Sequence, residues 1–573
     1  MNNQDVAYLL DDIGDMLEIL GDNPFRIRAH HRAANSIRSS PVSIETLVEE
    51  KRLTSLPAVG EGLAERIEEL VTTGKMLYYQ ELQEQVPPRL LELMQIQGVG
   101  PRKAKQLYEE LSVTSVDELK KAAAEGRLRE LKGMSAQTEE NILKGIELFR
   151  AGQARMLLSE AYPIAAMFVA ELEKASEVNK IALAGSLRRM KETIGDIDIL
   201  VASDNTAAVT KRFCGLPEVD RVLAHGDTKA SILAKNGLQI DLRVVKTAEY
   251  GSALQYFTGS KDHNIRLRDL AKQKGLKISE YGIFSISSNR NLGGKTEEEI
   301  YAHLGLDYID PVLREDHGEI AAAKSHTLPN LVSLSDVRGD LQSHSTWSDG
   351  LNLVKDMALA AGELGYEYLA VTDHAEKLKV AGGMTREAIA KRRREIEKLN
   401  GELKGIRLLD GVELNIDGDG NVDYDDDVLE GFDVVLGSIH SGFQQPRQKI
   451  MARLAKAMEN KSIHIIAHPT GRIIGKREPY DVDIEGLFDL AARTGTVLEI
   501  NSFPDRLDLK DDYAREAKRR GLKMSLGTDA HMAAHLPYMM YGVAVARRAW
   551  LEPQDIINTL PLEKMLAALK NKQ

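Results

Sequence analysis

Asp196-Ile197-Asp198 sets two carboxylates one residue apart inside an apolar run, with Ile197, Ile199, Leu200 and Val201 around them. On a β-strand, residues two apart share a face. Both carboxylates then point one way and the isoleucines the other. Like charges side by side repel, and folding alone gives no reason to place them there. A divalent cation relieves the repulsion, and hard cations prefer carboxylate oxygen. The pair ends the stretch Gly185–Leu200, GSLRRMKETIGDIDIL. Its Gly185-Ser186 and Arg188-Arg189 offer anion partners, which distinguishes the pair from two solvated acids on an exposed strand edge.

The chain has 573 residues, room for about three to five domains. Composition is that of a globular protein, 43% hydrophobic and 28% charged, with no apolar run long enough to span a membrane. The opening MNNQDVAYLL soon meets Asp11, Asp12 and Asp15 rather than forming a leader. One cysteine, Cys214, excludes an intramolecular disulfide framework and suits a reducing cytoplasm, the expected location. The net charge of −12 does not announce nucleic acid, yet residues 251–296 hold eight Lys/Arg against three Asp/Glu. A polyanion binder needs a basic surface, not a basic total.

Residues 1–150 carry apolar residues at helical spacing with few β-branched runs, which predicts helices throughout. One pattern recurs three times: LPAVGEGLAERI from Leu56, IQGVGPRKAKQL from Ile96 and LKGMSAQTEENI from Leu131. Each puts a small turn between two short helices. The first two close on Gly60 and Gly100, where glycine is expected to supply a positive φ and a close approach for phosphate. The N–H groups opening the next helix then face an anion. Gly60, Gly62, Gly98 and Gly100 are therefore candidate DNA contacts. These two copies resemble helix-hairpin-helix modules, which grip the DNA backbone without reading sequence. The third copy has Ser135 at the closing position and is expected to be structural. Upstream, Arg26, Arg28, His30, His31 and Arg32 form a basic cluster expected to touch phosphate rather than bases.

From about Ala151 to Asp310 the pattern becomes mixed α/β. NKIALAGS predicts a strand ending at Gly185-Ser186, and GLQIDLRVV a further strand carrying Asp241. Three aspartates on neighbouring strands suit two Mg²⁺ ions about 3.5–4 Å apart, which activate an attacking oxygen and stabilise the leaving one. Ser186, Arg189 and the backbone around Gly195 can hold a triphosphate. Together with the later YFTGSKDHN, these residues resemble a family X DNA polymerase over roughly residues 1–310.

That resemblance implies Asp196, Asp198 and Asp241 as catalytic ligands of two Mg²⁺ or Mn²⁺ ions, with Gly185, Ser186, Arg189 and Gly195 around the nucleotide phosphates. It implies Tyr256, Phe257 and Gly259 against the incoming sugar, Asn264 at the base and Arg268 on the template side. Two departures stand out. Arg66 occupies the position of the Schiff-base lysine of lyase-active relatives, and a guanidinium stays protonated. Gln239 stands two residues before Asp241, where some relatives carry arginine, and is expected to alter how Asp241 is held.

Beyond residue 336 strands and helices alternate. Seven candidate strands end in polar residues, at Gln342/His344, Asp373-His374, Glu413, His440, His468, Asn501 and Asp529/His531. A barrel of parallel strands brings such residues together at its carboxyl end. The set resembles a PHP (polymerase and histidinol phosphatase) domain, a distorted seven-stranded barrel holding up to three Mn²⁺ or Zn²⁺ ions. By motif, His344, Asp349, His374, Glu413, His440, His468, Asp529 and His531 match eight of nine ligand positions. The ninth is Gln342, where D-L-H-x-H is expected. A carboxamide suits Mn and Zn less well than imidazole, so one ion should bind more weakly. Arg472, in HPTGR, is expected to touch phosphate.

The expected architecture is multidomain. An N-terminal helical domain (1–85) with the first hairpin precedes a fingers-like helical domain (86–150) with the second. An α/β nucleotidyltransferase palm (151–250), a thumb-like domain (251–310) and a linker (311–336) follow, then the PHP barrel (337–573). The expected function is gap-filling DNA polymerase with a Mn²⁺-dependent 3′–5′ exonuclease, a monomer acting on gapped or primed DNA with deoxynucleoside triphosphates. The alternatives are a template-independent nucleotidyltransferase, or a DNA-binding protein whose PHP part is structural or a small-phosphoester phosphatase.

Overall fold

The computed structural model describes residues 3–570 apart from 39, 41, 95, 97 and 154. Helices follow one another from Asn3–Leu20 to Ala136–Gln153, with no strand among the described residues between them. Their apolar stripes meet in one core running from Leu10 and Ile13 through Ile67 and Leu107 to Ile142.

The hairpin turns differ from expectation in one respect. The left-handed residues are Ala58 (φ 62°), Gly98 (φ 93°) and Gly133 (φ 82°), each two positions before the closing residue. Gly60 and Gly100 are extended (φ −82° and −97°) and cap the helices Glu61–Thr73 and Pro101–Leu111. Their missing side chains matter through space instead. A Cβ at Gly60, Gly62 or Gly100 would have no neighbour within 4 Å among the described residues, which leaves room at both helix starts, although Pro101 opens the second helix and has no N–H to offer. In the third copy the Ser135 hydroxyl accepts from Thr138 N at 3.2 Å, which occupies that donor internally.

The basic cluster upstream, expected to touch phosphate, is mostly engaged within the protein. His31 lies 3.0 Å from Asp11 and 3.6 Å from Asp15, because the helix Pro24–Arg38 packs against the acidic face of the first helix. Arg26 pairs with Asp22 at 2.7 Å, and Arg32 donates to the carbonyl of Gly350 at 3.1 Å. Arg66 stacks its guanidinium 3.8 Å from the Tyr78 ring centre.

The palm is a five-stranded sheet in the order Lys180–Leu183, Ile197–Ala202, Gln239–Val245, Lys229–Ala234, Val219–His225. Only the Ile197–Ala202 and Gln239–Val245 pair is parallel, with Asp198 opposite Asp241. The alternate residues Ile197 and Ile199 join Phe168 and Phe213 in the core beneath. The thumb-like unit packs helices Tyr250–Thr258 and Lys261–Gln273 against a small antiparallel sheet, Leu276–Ser279, Gly282–Ser285 and Asn291–Gly293.

The stretch 311–336 is not a free linker. Val312, Leu313 and Ala323 are buried in the thumb core, and Arg314 is fully buried beside Glu297. Mixed polarity here reflects buried ion pairing rather than solvation. Glu297 accepts from Arg188 at 2.6 and 2.9 Å and from Arg314 at 2.6 Å, joining palm to thumb under the YFTGS segment.

The C-terminal unit is a seven-stranded parallel barrel whose strand order follows the chain from Gly339–Ser343 to Met524–Gly527. It is nearly closed by a parallel bridge between Ser343 and Ala530. No helix among the described residues is long and apolar enough to cross a membrane.

Removing Glu297 leaves two guanidiniums with no counter-charge in a buried site. Glu297→Ala is expected to destabilise the palm–thumb unit by about 3–5 kcal/mol, read as an earlier urea transition than wild type.

Candidate active sites

The palm centre follows from strand register. Asp198 and Asp241 face each other across parallel strands, and Asp196 sits just before the first of them. Their carboxylates come within 4.8 Å of one another, with Asp196 exposed and the others half-buried. Gly185 takes φ 60°, and a Cβ there would stand 2.2 Å from Asp198 Oδ2. Glycine is therefore obligatory if the strand end is to reach the carboxylate. Burial, then the charges of Asp196 and Asp241, push the Asp198 carboxyl up to about 7. Crowded hard oxygens that repel one another fit a divalent cation.

A cleft of about 510 Å³ opens beside this trio, lined by Ser186, Arg189, Tyr256, Phe257, Gly259, Asn264 and Arg268. All these predicted residues are thus brought together. Gly195 stands at the edge, close to the Arg155 guanidinium. Arg189 donates to Thr258 O at 2.5 Å and pairs with Glu315 at 2.9 Å. The Asn264 amide donates to Tyr256 O at 2.8 Å and accepts from Gln255 at 2.7 Å, so it orients the aromatic pair as well as lining the cleft. Gln239 donates to Asp241 Oδ1 at 3.3 Å. Arg155, Lys191 and Lys261 also line the cleft. No sequence signal marked them, since isolated cations on loops and helix starts resemble any solvated residue.

In the barrel, the strand ends bring all eight matched residues together. His344, Asp349, His374 and His531 form one group within 4.8 Å, His374, Glu413 and His440 a second, and His344, Glu413 and Asp529 a third. His468 joins them, its Nε2 3.0 Å from Glu413 Oε1. His344 stacks between His374 and His531 at 4.4 and 4.3 Å. Asp529 and His468 hold left-handed backbones (φ 54° and 32°), a strain that tends to collect at functional sites. Glu413 and His344 lie at the floor, while Asp349, His440 and His531 remain partly exposed at the mouth.

Both ring nitrogens of His344, Nδ1 of His440 and His468, and Oε2 of Glu413 are buried with no hydrogen-bond partner among the described residues. Such orphaned donors suit metal ligation. Burial works against a charged His531, yet the Asp349 carboxylate raises its pKa to about 10. Burial lowers His374 to about 4. A bound cation would displace the His531 proton.

On the Gln342 side the fit is poorer. Gln342 Oε1 accepts from Asn501 Nδ2 at 3.3 Å, and its Nε2 is buried without a partner among the described residues. Asn501 Nδ2 lies 3.2 Å from both Glu499 Oε2 and Asp529 Oδ2, and Arg506 stands 3.5 Å from that Asp529 oxygen. An amide chain ending on a guanidinium occupies the corner where the resemblance implies an imidazole. Glu499 and Arg506 were not foreseen. Glu499 alternates with Asn501 on an inward strand face, a period-two signal that could have found it. Arg472, expected to touch phosphate, is engaged within the protein: it is buried and pairs with Glu192 of the palm at 2.7 Å. Asp373 is likewise occupied, with Arg392 at 2.9 Å.

Two outcomes follow for ion binding. With chelator present, the folded protein keeps the Asp198 proton up to about pH 7, whereas the unfolded chain loses it near 3.8. Stability from this group is therefore full below pH 3.8 and falls as pH rises to 7. Melting of chelated protein at pH 8 should move up on adding Mg²⁺ and on Asp198→Asn, and Mg²⁺ should add little to the Asn variant. For the barrel, Gln342→His should raise bound Mn²⁺ or Zn²⁺ by about one ion per chain in elemental analysis.

Comparison with known proteins agrees with this geometry. The chain matches the DNA polymerase beta palm over residues 155–246 and the DNA polymerase beta thumb over 253–315. It matches a helix-hairpin-helix domain over 1–76, a SAM-like helix-hairpin-helix tandem over 90–147 and a PHP domain over 340–503. It is 38% identical to the DNA polymerase/3′-5′ exonuclease PolX of Bacillus subtilis (strain 168) over 572 residues, covering 100% of each chain. It is 24% identical to rat (Rattus norvegicus) DNA polymerase lambda over 344 residues, 55% of this chain and 56% of that one. A "Probable phosphatase" of Syntrophotalea carbinolica is 31% identical over 229 residues, 38% of this chain and 90% of that protein. With a relative matched from end to end and both catalytic halves recognised, the chain belongs to the bacterial family X DNA polymerases that carry a C-terminal PHP domain.

Proposed function

We propose that the protein fills short gaps in DNA during repair and trims 3′ ends at its barrel. The observation that carries the first half is the register of Asp198 against Asp241 beside the triphosphate-sized cleft. In the transfer step a primer 3′-hydroxyl oxygen bonds the α-phosphorus of a deoxynucleoside triphosphate, and the bond to pyrophosphate breaks. Two Mg²⁺ or Mn²⁺ ions, when bound, lower the charge on the attacking and leaving oxygens.

The chain's own residues do the positioning. Asp196, Asp198 and Asp241 gather negative charge at one point, while Ser186 and Arg189 offer donors across the cleft. Tyr256 and Phe257, edge-to-face at 5.2 Å, wall the sugar side, and a bulkier residue at Gly259 would press on Arg189. Arg268 faces the template. The uncrowded helix starts at Gly60 and Gly100, with Gly62 and Gly98, hold the DNA backbone. In the barrel the eight ligands hold Mn²⁺ or Zn²⁺ for phosphodiester hydrolysis, slowed by Gln342. In this reading the protein works as a monomer in the cytoplasm, in keeping with its one half-buried cysteine, Cys214.

Asp198→Asn should lower nucleotide incorporation on a single-nucleotide gap about a hundredfold or more. A template-independent transferase would incorporate equally on single strands, so indifference to the gapped duplex would overturn the reading. With an intact polymerase site, Mn²⁺-dependent primer shortening should fall by a similar factor in His440→Ala. Shortening that persists would put the nuclease elsewhere.

A further inference from the structure

The nucleotide cleft and the barrel share one carboxylate. Glu315 Oε1 accepts from Arg189 Nε at 2.9 Å and from Arg548 Nη1 at 3.0 Å, with Lys191 Nζ 4.0 Å away. Arg548 ends the barrel helix Met539–Arg548 and is only 4% exposed in its side chain. Asp511 fixes it at 2.9 and 2.6 Å, and its Nη1 also donates to the Arg189 carbonyl at 2.9 Å. A second tie, Arg472 to Glu192 at 2.7 Å, reaches the same short stretch between Gly185 and Asp196. Burial pushes the Glu315 carboxyl up, but Arg189, Arg548 and Lys191 more than offset this and hold it below its ordinary range.

Arg189 lines the cleft, and its Nε and Nη1 are committed to Glu315 and Thr258. A carboxylate divided between two guanidiniums pulls each less than it would pull one alone. With Arg548 gone, the full charge of Glu315 falls on Arg189 and competes with phosphate oxygens for that guanidinium. We propose that Arg548 is a positioning residue for nucleotidyl transfer: by sharing Glu315 it leaves Arg189 available to the triphosphate, so the PHP barrel completes the polymerase site. This inference rests on the reading of Arg189 as a phosphate contact.

The test uses the full chain on a single-nucleotide gap, with kcat and KM for the deoxynucleoside triphosphate measured separately. Arg548→Ala should raise KM about fivefold to tenfold while kcat stays within about twofold. Adding Glu315→Gln to Arg548→Ala should return KM close to wild type, because the amide keeps an acceptor for Arg189 and loses the charge. A simple brace between domains would not be rescued by that second change. An unchanged KM in Arg548→Ala, or a raised KM with no rescue, overturns the proposal. Arg189→Ala separates the two levels. If it leaves KM unchanged, the phosphate reading fails; if it raises KM while Arg548→Ala does not, only the coupling fails. Should Arg548→Ala not fold, Glu315→Gln alone decides: KM at or below wild type supports the proposal, and a severalfold rise overturns it.

Discussion

Mutual repulsion among Asp196, Asp198 and Asp241 is the constraint on which the polymerase half depends. Strand pairing fixes Asp198 opposite Asp241, and Asp196 just ahead of the strand brings the three carboxylates within 4.8 Å. The backbone makes room through Gly185, whose missing side chain lets the following turn close onto Asp198. Beneath, Ile197 and Ile199 bury the opposite strand face, so the hydrophobic core holds the acids outward. The favourable burial of that face offsets the unfavourable charge on the other.

The barrel solves a related problem differently. Its candidate ligands come from the ends of seven parallel strands, and buried imidazoles face carboxylates with several ring nitrogens unpartnered among the described residues. Burial and charge pull the two stacked neighbours of His344 apart, lowering His374 and raising His531. Gln342 interrupts the set at one corner, where Asn501, Glu499 and Arg506 take up the space and the charge. The remaining residues still form groups that could hold a metal ion, with Asp349, His440 and His531 partly exposed at the mouth.

Between the two halves, partly buried ionic contacts accompany apolar packing. Arg472–Glu192 and the Arg548–Glu315–Arg189 arrangement both land on the stretch that holds the nucleotide residues. In a shielded setting each pair is costly to break, because the partner left behind keeps its charge without solvent to stabilise it. Residues 311–325 serve the same junction, feeding Val312, Leu313 and Ala323 into the thumb core while presenting Glu315 to the barrel.

The sequence by itself determined the chemistry: paired acids in an apolar strand, a third acid on a second strand, glycine turns, and polar residues at the ends of seven strands. These were legible because strand alternation and local turn chemistry act over a few residues. Tertiary structure decided how those groups are employed. It set His31 against Asp11 and Asp15 and Arg32 against the Gly350 carbonyl, moved the positive φ from Gly60 to Ala58, and made Arg472 a domain tie. It also drew Arg155 to the cleft and Glu315 to Arg548. A charged side chain takes the partner that packing brings within about 4 Å, and for His31, Arg472 and Glu315 that partner lies far along the chain, beyond the reach of any turn or helix repeat. No local pattern can encode it.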